Sequence, residues 1–156
     1  MSTPPAYPTP AKPQGEPPID QPYYGAPFPA AIKRFFQKYA TFSGRAGRAE
    51  YWWWILVSVV VSIVLSRIWG ASHPIDVTQT ATTMSLFQQS FDPISSIWSL
   101  ITLVPGLALF WRRMHDTNRS GLWIFLALIP LVGAIILIVF AAQAARPEGA
   151  RFDKQR

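Results

Sequence analysis

The sequence contains no cysteine and few charged residues. Of its 156 residues, 14% are charged, against roughly 25% in an average soluble domain. The lack of cysteine excludes disulfides, thiolate catalysis and cysteine-ligated metal or iron–sulfur centres. With only two histidines, the chain also lacks the set of ligands that a metal hydrolase brings together.

Long apolar stretches take the place of the missing charge. Three of them contain no Asp, Glu, Lys or Arg and are 16, 18 and 26 residues long: residues 51–66, 94–111 and 120–145. A helix needs about 20 apolar residues, with a range of roughly 17 to 25, to cross the hydrocarbon core. The pattern predicts an all-α, polytopic membrane protein rather than a soluble enzyme. The predicted transmembrane helices cover about residues 51–69, 94–111 and 122–144.

Residues 1–29 hold ten of the fifteen prolines and few aliphatic side chains. Such a segment has little to bury, so it is expected to be disordered with polyproline character. Its P-x-x-P matches are typical of any segment this rich in proline, and we interpret it as a solvated tether. The expected domain organisation is this tail, a membrane domain over residues 30–145 and a basic tail over residues 146–156.

A short amphipathic helix is predicted over residues 30–42. Apolar side chains recur at helical spacing on one face, and basic and polar ones take the other. The apolar face consists of Ile32, Phe35, Phe36 and Tyr39. The opposite face consists of Lys33, Arg34, Gln37, Lys38 and Thr41. A helix of this kind suits the membrane surface, although packing against a soluble partner is the alternative.

The positions of the basic residues predict the orientation. Residues 30–50 carry five Lys and Arg, residues 70–93 none, residues 111–121 three and residues 146–156 four. Because cytoplasmic loops are enriched in basic residues, the N-terminus is expected on the cytoplasmic side of the membrane. With three spans the basic C-terminal tail then lies outside. The alternative is that the third apolar block breaks at Pro130 and re-enters, since its two halves are too short to span separately.

Small residues recur along the predicted spans. Ser58, Ser62 and Ser66 are four residues apart, and small side chains in that register let another helix approach closely. Pro105 and Pro130 interrupt the second and third apolar blocks. The first feature favours an interaction protein, with a homo-oligomer through these faces as one form of it. The second keeps a small-solute transporter or channel as the alternative.

Two polar clusters are expected to meet at the cytoplasmic surface, in residues 42–52 and 111–121. Their charged and imidazole side chains form the candidate interfacial site: Arg45, Arg48, Glu50, Arg112, Arg113, His115, Asp116 and Arg119. Salt bridges and contacts with anionic lipid headgroups are one interpretation, and a site for an anionic ligand is the other. Ser43 and Ser120 are candidate caps of the helices that follow them.

Glu50 is expected to pair with Arg112 or Arg113. An unpaired carboxylate at the edge of the hydrocarbon loses much of its solvation, and a guanidinium from the neighbouring helix end restores it. The local alternatives, Arg45 and Arg48, do not share a helical stripe with Glu50. His115 and Asp116 are interpreted as a hydrogen-bonded turn rather than a metal site.

The two clusters also carry a family resemblance. The motif F-S-G-R-A-G-R-A-E-Y-W precedes the first span, and W-R-R-M-H-D-T-N-R-S-G precedes a last span that contains L-I-P-L-V-G. Over about residues 31–153 the chain resembles the bacterial domain of unknown function 805 family, which implies a small inner-membrane protein without assigned catalytic residues. The family often ends in an Asn-Arg-Phe-Gly-like segment, where this chain has Ala150-Arg151-Phe152-Asp153. Asn118 stands where a glycine is common, which suits a left-handed turn.

No catalytic, cofactor-binding or metal-binding residues are predicted. The segment 44–47 lacks the spacing and the lysine of a phosphate-binding loop. The formal charge of +6 is not accompanied by a groove-entering motif, so nucleic acid is not expected as a partner. The sequence therefore predicts a non-enzymatic membrane interaction or accessory protein, with the bilayer, a second copy or another membrane protein as its partners.

Overall fold

The computed structural model describes residues 15–72 and 92–153. Within these ranges all regular secondary structure is helical and there is no strand, which confirms the all-α class. Four α-helices are α1 (Phe28–Gln37), α2 (Arg48–Ser72), α3 (Pro93–Asp116) and α4 (Val132–Ala142). Two 3-10 helices, Gly121–Leu128 and Pro147–Phe152, lie before and after α4.

Helices α2 and α3 are long and apolar enough to cross a membrane. They contain 25 and 24 residues, with mean hydropathies of 1.9 and 1.7 over their most apolar windows, and at 1.5 Å per residue each is about 36 Å long. Only 0% and 22% of those windows are buried inside the protein, unlike the core helices of a soluble domain. Both helices extend beyond the predicted blocks because helical hydrogen bonding continues into the charged residues at their ends.

Serine hydroxyl groups join the C-terminal part of α2 to the N-terminal end of α3. Asp92 caps α3 by accepting hydrogen bonds from the backbone of Ile94 and Ser95 at 3.0 and 3.1 Å. The Ser66 hydroxyl donates to the same carboxylate at 3.2 Å and lies 3.2 Å from the Ser95 hydroxyl. Part of the small-residue stripe on α2 therefore serves packing within the chain.

Pro105 leaves a gap in the hydrogen bonding of α3 that α1 fills. Proline has no N–H, so the carbonyl of Ile101, four residues earlier, lacks its usual helical donor. The Tyr39 hydroxyl, just after α1, donates to this carbonyl at 2.7 Å. Helix α3 thus continues through the proline with a side chain supplying the missing donor.

The third apolar block is not one continuous helix, which corrects the helix expected over residues 122–144. It forms the 3-10 helix Gly121–Leu128, a turn and then α4. Pro130 disfavours helical backbone at the residue before it, and Leu131 has a φ of 61°. A Cβ on Gly133 would lie 1.7 Å from the Leu126 carbonyl oxygen, so glycine is required where the two halves approach.

The two halves form a hairpin whose ends meet at the C-terminal part of α3. Gly121 packs against the Trp111 ring so closely that a Cβ would lie 1.9 Å from it. At the other end, the Arg113 guanidinium donates to the carbonyls of Ala141 and Gln143. At about 2.0 and 1.5 Å per residue, each half is about 16 Å long, roughly half of a 30 Å hydrocarbon core.

The segment before α1 is ordered from residue 15 onward, contrary to the disorder expected over residues 1–29. We call residues 15–27 the strap. Its Ala26 is buried, and its backbone and side chains hydrogen-bond to α1, α2 and α3. Residues 1–14 lie outside the described residues, so the expectation for them stays a prediction.

The basic side of α1 is also placed differently from its prediction. Arg34 and Lys38 are 1% and 4% exposed beneath the strap, whereas Phe36 and Tyr39 are exposed. Phe35 is buried and stacks on Trp54, with ring centroids 3.3 Å apart. The apolar face therefore anchors α1 to α2. The two buried cations, Arg34 and Lys38, point into the protein rather than to headgroups or solvent.

The contact between Tyr39 and the backbone freed by Pro105 leads to a first prediction. Tyr39→Phe removes one hydrogen bond and should lower the free energy of unfolding in detergent by about 1 kcal/mol. In a Pro105→Ala background the N–H of residue 105 is restored, so the same substitution should have much less effect. Equal losses in both backgrounds, measured by denaturant titration, would show that the tyrosine acts through packing alone.

Candidate functional site

The ends of α2 and α3 enclose a group of buried charged side chains, which we call the polar cap. Each of its members is at most 7% exposed: Arg34, Lys38, Glu50, Arg112, Arg113, His115 and Asp116. Burying so many charges is costly unless each one is paired or hydrogen-bonded. Their partners therefore show how this end of the protein is assembled.

Glu50, in the first turn of α2, has partners on the strap and on α1. Its Oε1 accepts a hydrogen bond from the Tyr23 backbone N–H at 2.6 Å and lies 3.6 Å from Arg34 Nη1. Among the described residues, neither Arg112 nor Arg113 forms a salt bridge with it, so that predicted pairing is wrong. The carboxylate at this depth does have a cationic partner, as the physical argument requires, but that partner is Arg34.

Arg34 is held from several sides by the strap. Its guanidinium donates to the carbonyls of Pro17, Pro18 and Gln21 and pairs with Glu16 at 3.2 Å. Lys38, one helical turn later, donates to the Gln21 carbonyl at 3.4 Å. Burial lowers the pKa of Lys38 to about 8, although the nearby Glu50 acts in the opposite direction.

Arg113 joins three parts of the chain. It forms a buried ion pair with Asp116 and donates to the carbonyls of Ala46, before α2, and of Ala141 and Gln143, at the end of the hairpin. A planar guanidinium with five donors can serve all of these acceptors at once. Arg113 therefore fixes the position of the hairpin relative to α2 and α3.

Besides its ion pair with Arg113, Asp116 accepts a hydrogen bond from the strap. The Tyr24 hydroxyl donates to its Oδ1 at 2.6 Å. Burial raises the pKa of Tyr24, and the adjacent Asp116 raises it further. Tyr24 therefore stays protonated and remains a donor across the physiological pH range.

The C-terminal segment closes the cap on the opposite side from α1. Arg45 binds the Asp153 carboxylate through Nε and Nη2, with the shortest contact at 2.7 Å. His115 Nδ1 donates to the Gly44 carbonyl at 3.1 Å, and its ring stacks on Phe152 with centroids 4.0 Å apart. Asp153 stands where the resembled family often has glycine, so this ion pair belongs to the departure from the family pattern.

His115 and Asp116 are both hydrogen-bonded, but to separate partners rather than to each other. Over residues 15–72 and 92–153, no three His, Asp or Glu side chains converge as they would around a metal ion. Asn118 has a φ of 58°, which confirms the left-handed turn predicted after them. Ser120 accepts from the Leu122 N–H at 3.3 Å as predicted, whereas Ser43 lies too far before α2 to cap it.

Two residues of the predicted cluster lie outside the cap. The Arg119 guanidinium stacks over the Phe140 ring at 4.0 Å, against the hairpin. Arg48 is exposed on the outer surface of α2. Five of the eight predicted site residues are therefore members of the polar cap, and Arg45 lies at its edge, paired with Asp153.

Arg112 contributes mainly through its backbone and position. Its carbonyl accepts from the Ala46 N–H at 3.1 Å, and its Nε donates to the Ala108 carbonyl at 3.2 Å. Within the described part of the chain its two terminal nitrogens have no hydrogen-bond acceptor. The charges of Glu50 and Arg34 nevertheless act on it, so it belongs to the same buried network.

Sequence reasoning missed several members of the network. They are Tyr23, Tyr24, Arg34, Lys38, Phe152 and Asp153. Two signals were available in the sequence. Glu50 has no basic residue at helical spacing to pair with, and the aromatic pair Tyr23 and Tyr24 interrupts an otherwise proline-rich tail. The arrangement as a whole ties the strap, α1, the hairpin and the C-terminal segment to the ends of α2 and α3.

The partner of Glu50 leads to a second prediction. Arg34→Gln and Glu50→Gln should each destabilise the protein in detergent, because each leaves a buried charge without its partner. In the double variant the losses should fall short of their sum by about 0.5–3 kcal/mol. The matched cycle between Glu50 and Arg113 should be close to additive, and coupling of equal size there would contradict the observed pairing.

Comparisons with known proteins identify the relatives of the chain. Residues 39–154 match the model of a family described as "Protein of unknown function (DUF805)". Inner membrane protein YhaH of Escherichia coli strain K12 is 35% identical over 119 residues, which cover 76% of this chain and 89% of that protein. Inner membrane protein YhaI of the same strain is 36% identical over 104 residues, covering 67% and 75%.

A third relative is less similar and matches a shorter part of the chain. Uncharacterized protein YiiR of Escherichia coli K12 is 32% identical over 89 residues, which cover 57% of this chain and 50% of that protein. No solved structure matches the chain. The family model spans α2, α3, the hairpin and the C-terminal segment, and this chain therefore belongs to the DUF805 family.

Proposed function

We propose that the protein crosses the bacterial inner membrane twice and that the hairpin enters and leaves the membrane on the same side. The relatives named as inner membrane proteins support the location. The half-membrane length of each hairpin arm supports re-entry, as does the meeting of its two ends at the C-terminal part of α3, one at Trp111 and the other at Arg113. In this arrangement the N-terminal and C-terminal segments lie together in the cytoplasm.

The distribution of basic residues supports the same topology. Residues 30–50, 111–121 and 146–156 together carry twelve basic residues, and Arg67, near the other end of α2, is the one further basic residue of the sequence after residue 29. A re-entrant hairpin places these three segments on one side of the membrane. It leaves segment 73–92, which contains no Lys or Arg, on the other side. The conflict between the basic tail and three spans is removed, in agreement with the positive-inside rule.

For function, we propose a non-enzymatic interaction or accessory protein whose hairpin binds another membrane protein or a second copy. The supporting observation is the turn between the halves. Ile129 and Leu131 are 51% and 74% exposed, and the backbone there is irregular. Irregular backbone at membrane depth is tolerated where protein or a water-filled cavity covers it, but not against lipid.

The same physical argument defines a second candidate. A small-solute transporter or channel would line a hydrated path with this interrupted segment, as broken helices do in transporters. The uptake of a panel of labelled solutes into proteoliposomes, relative to protein-free vesicles, measures this activity. The interaction function predicts uptake equal to that of the protein-free vesicles.

The topology predicts which introduced cysteines a membrane-impermeant maleimide reaches, and the absence of natural cysteine makes the background clean. In cells with a permeabilised outer membrane, Thr82→Cys should be labelled. Thr9→Cys and Ala150→Cys should be labelled only after lysis. Labelling of Ala150→Cys in intact cells would instead indicate three complete spans, and labelling of Thr9→Cys would reverse the orientation.

The interaction function predicts protein contacts at the hairpin turn. A photoreactive amino acid at Leu128, which is 78% exposed, should give covalent protein adducts on irradiation in cells. Ile63, which is 54% exposed on the regular helix α2, provides the lipid-facing control and should give far fewer. An adduct of twice the monomer mass identifies a second copy, and equal yields at both positions would contradict the proposal.

A further inference from the structure

A groove runs along the outer surface of α2, at the end where the polar cap lies. It has a volume of about 390 Å³ and is lined by Arg48, Ala49, Trp52, Trp53 and Leu56. By helical spacing, Ala49 and Leu56 lie between the two tryptophans, which are 38% and 37% exposed. The small side chain of Ala49 leaves the space between the rings open.

Arg48 gives the groove one cationic end. It is exposed, and within residues 15–72 and 92–153 its side chain takes part in no hydrogen bond or ion pair. This distinguishes it from Arg34, Arg45 and Arg113, whose guanidinium groups have carboxylate partners. Arg48 is therefore available to an external anion.

The other end of the groove opens onto an apolar track. Leu56 is 51% exposed, and Val60 and Val64 follow at four-residue spacing with 51% and 50% exposure. These side chains continue along the part of α2 that crosses the hydrocarbon core. The surface thus changes from a cation, through indoles, to aliphatic side chains over about three helical turns.

We propose that this groove binds one anionic diacyl phospholipid, with Arg48 contacting the phosphate and an acyl chain lying over Ala49, Leu56 and Val60. A guanidinium recognises phosphate oxygens through paired hydrogen bonds. Indole rings favour the region of the headgroups and ester carbonyls, where an N–H donor and an apolar body are both useful. The order of chemistries along the groove matches the order along a phospholipid.

The shape of the groove favours a whole lipid over a free phosphate ion. Among the residues that the structure describes, Arg48 is the only charged side chain that lines it, so a small anion would gain one contact and bury little apolar area. A diacyl lipid gains that contact and the apolar burial together. The inference rests on the proposed placement of the Arg48 end of α2 at the membrane surface, whichever surface that is.

Native mass spectrometry of the full-length protein, purified in non-ionic detergent, tests the proposal. The titrants are phosphatidylglycerol and phosphatidylcholine with identical acyl chains. Wild-type protein should bind one phosphatidylglycerol about fivefold more tightly than phosphatidylcholine, the difference expected for one basic residue near an anionic headgroup. Glycerol phosphate, which has the headgroup charge without acyl chains, should not compete.

Two variants separate the two parts of the groove. Arg48→Gln should weaken the binding of phosphatidylglycerol more than that of phosphatidylcholine, whose choline cation already offsets the phosphate charge, and should thereby abolish the preference for phosphatidylglycerol. Ala49→Leu fills the space between the rings and should weaken the binding of both lipids. Arg146→Gln, which removes an exposed arginine elsewhere on the same end of the protein, is the matched control and should behave as wild type.

The proposal is overturned if wild-type protein shows no preference, or if Arg48→Gln retains it. It is also overturned if Arg146→Gln reduces the preference as much as Arg48→Gln, because the attraction would then come from the diffuse charge of the whole end. The titration in detergent does not depend on orientation or on a protein partner. Its failure is therefore distinguishable from failure of the labelling and cross-linking experiments.

Discussion

The ion pair between Arg113 and Asp116 is the interaction on which the arrangement of this protein depends. It is buried, with both side chains fully inaccessible, and a buried pair stabilises a fold only when its remaining hydrogen-bonding groups are satisfied. The strap supplies Tyr24 to Asp116, and the hairpin and the segment before α2 supply carbonyls to Arg113. The requirement to satisfy one pair therefore brings four separate segments together.

The two prolines in apolar blocks show two solutions to a single constraint. In a bilayer, a backbone group that loses its helical partner needs another partner from the protein. At Pro105 the hydroxyl of Tyr39 supplies it, and α3 continues. At Pro130 the chain turns back instead, because Leu131 adopts a positive φ and Gly133 permits the close approach of the halves.

The polar cap combines parts that lie inside and outside the matched family region. The family model begins at residue 39, so Glu50, Arg113 and Asp116 lie within it, whereas the strap and α1 precede it. In this chain the strap covers the cap with carbonyls and with the side chain of Tyr24. The cap is thus a junction between the family's membrane domain and an N-terminal segment that the matched region does not include.

The sequence by itself determined the features that depend on local composition and spacing. Charge-free blocks of sufficient length predicted the helices α2 and α3, and Asn118 predicted a left-handed turn, because each signal lies within the segment that it describes. The two polar clusters were also located correctly, since both flank apolar blocks. The sequence left the third block with two interpretations, because a proline marks a break without fixing the direction of the chain after it.

Only the tertiary structure decided which charged groups are partners. Several arginines were comparable candidates for Glu50. Of its observed contacts, the Tyr23 backbone lies in the segment whose proline content predicted a disordered tail, and Arg34 lies on the predicted amphipathic helix. The Arg45–Asp153 pair spans 108 residues. No local pattern encodes such distances. Each pair forms because the packing of apolar helices brings the segments together, and burial makes an unpaired charge costly.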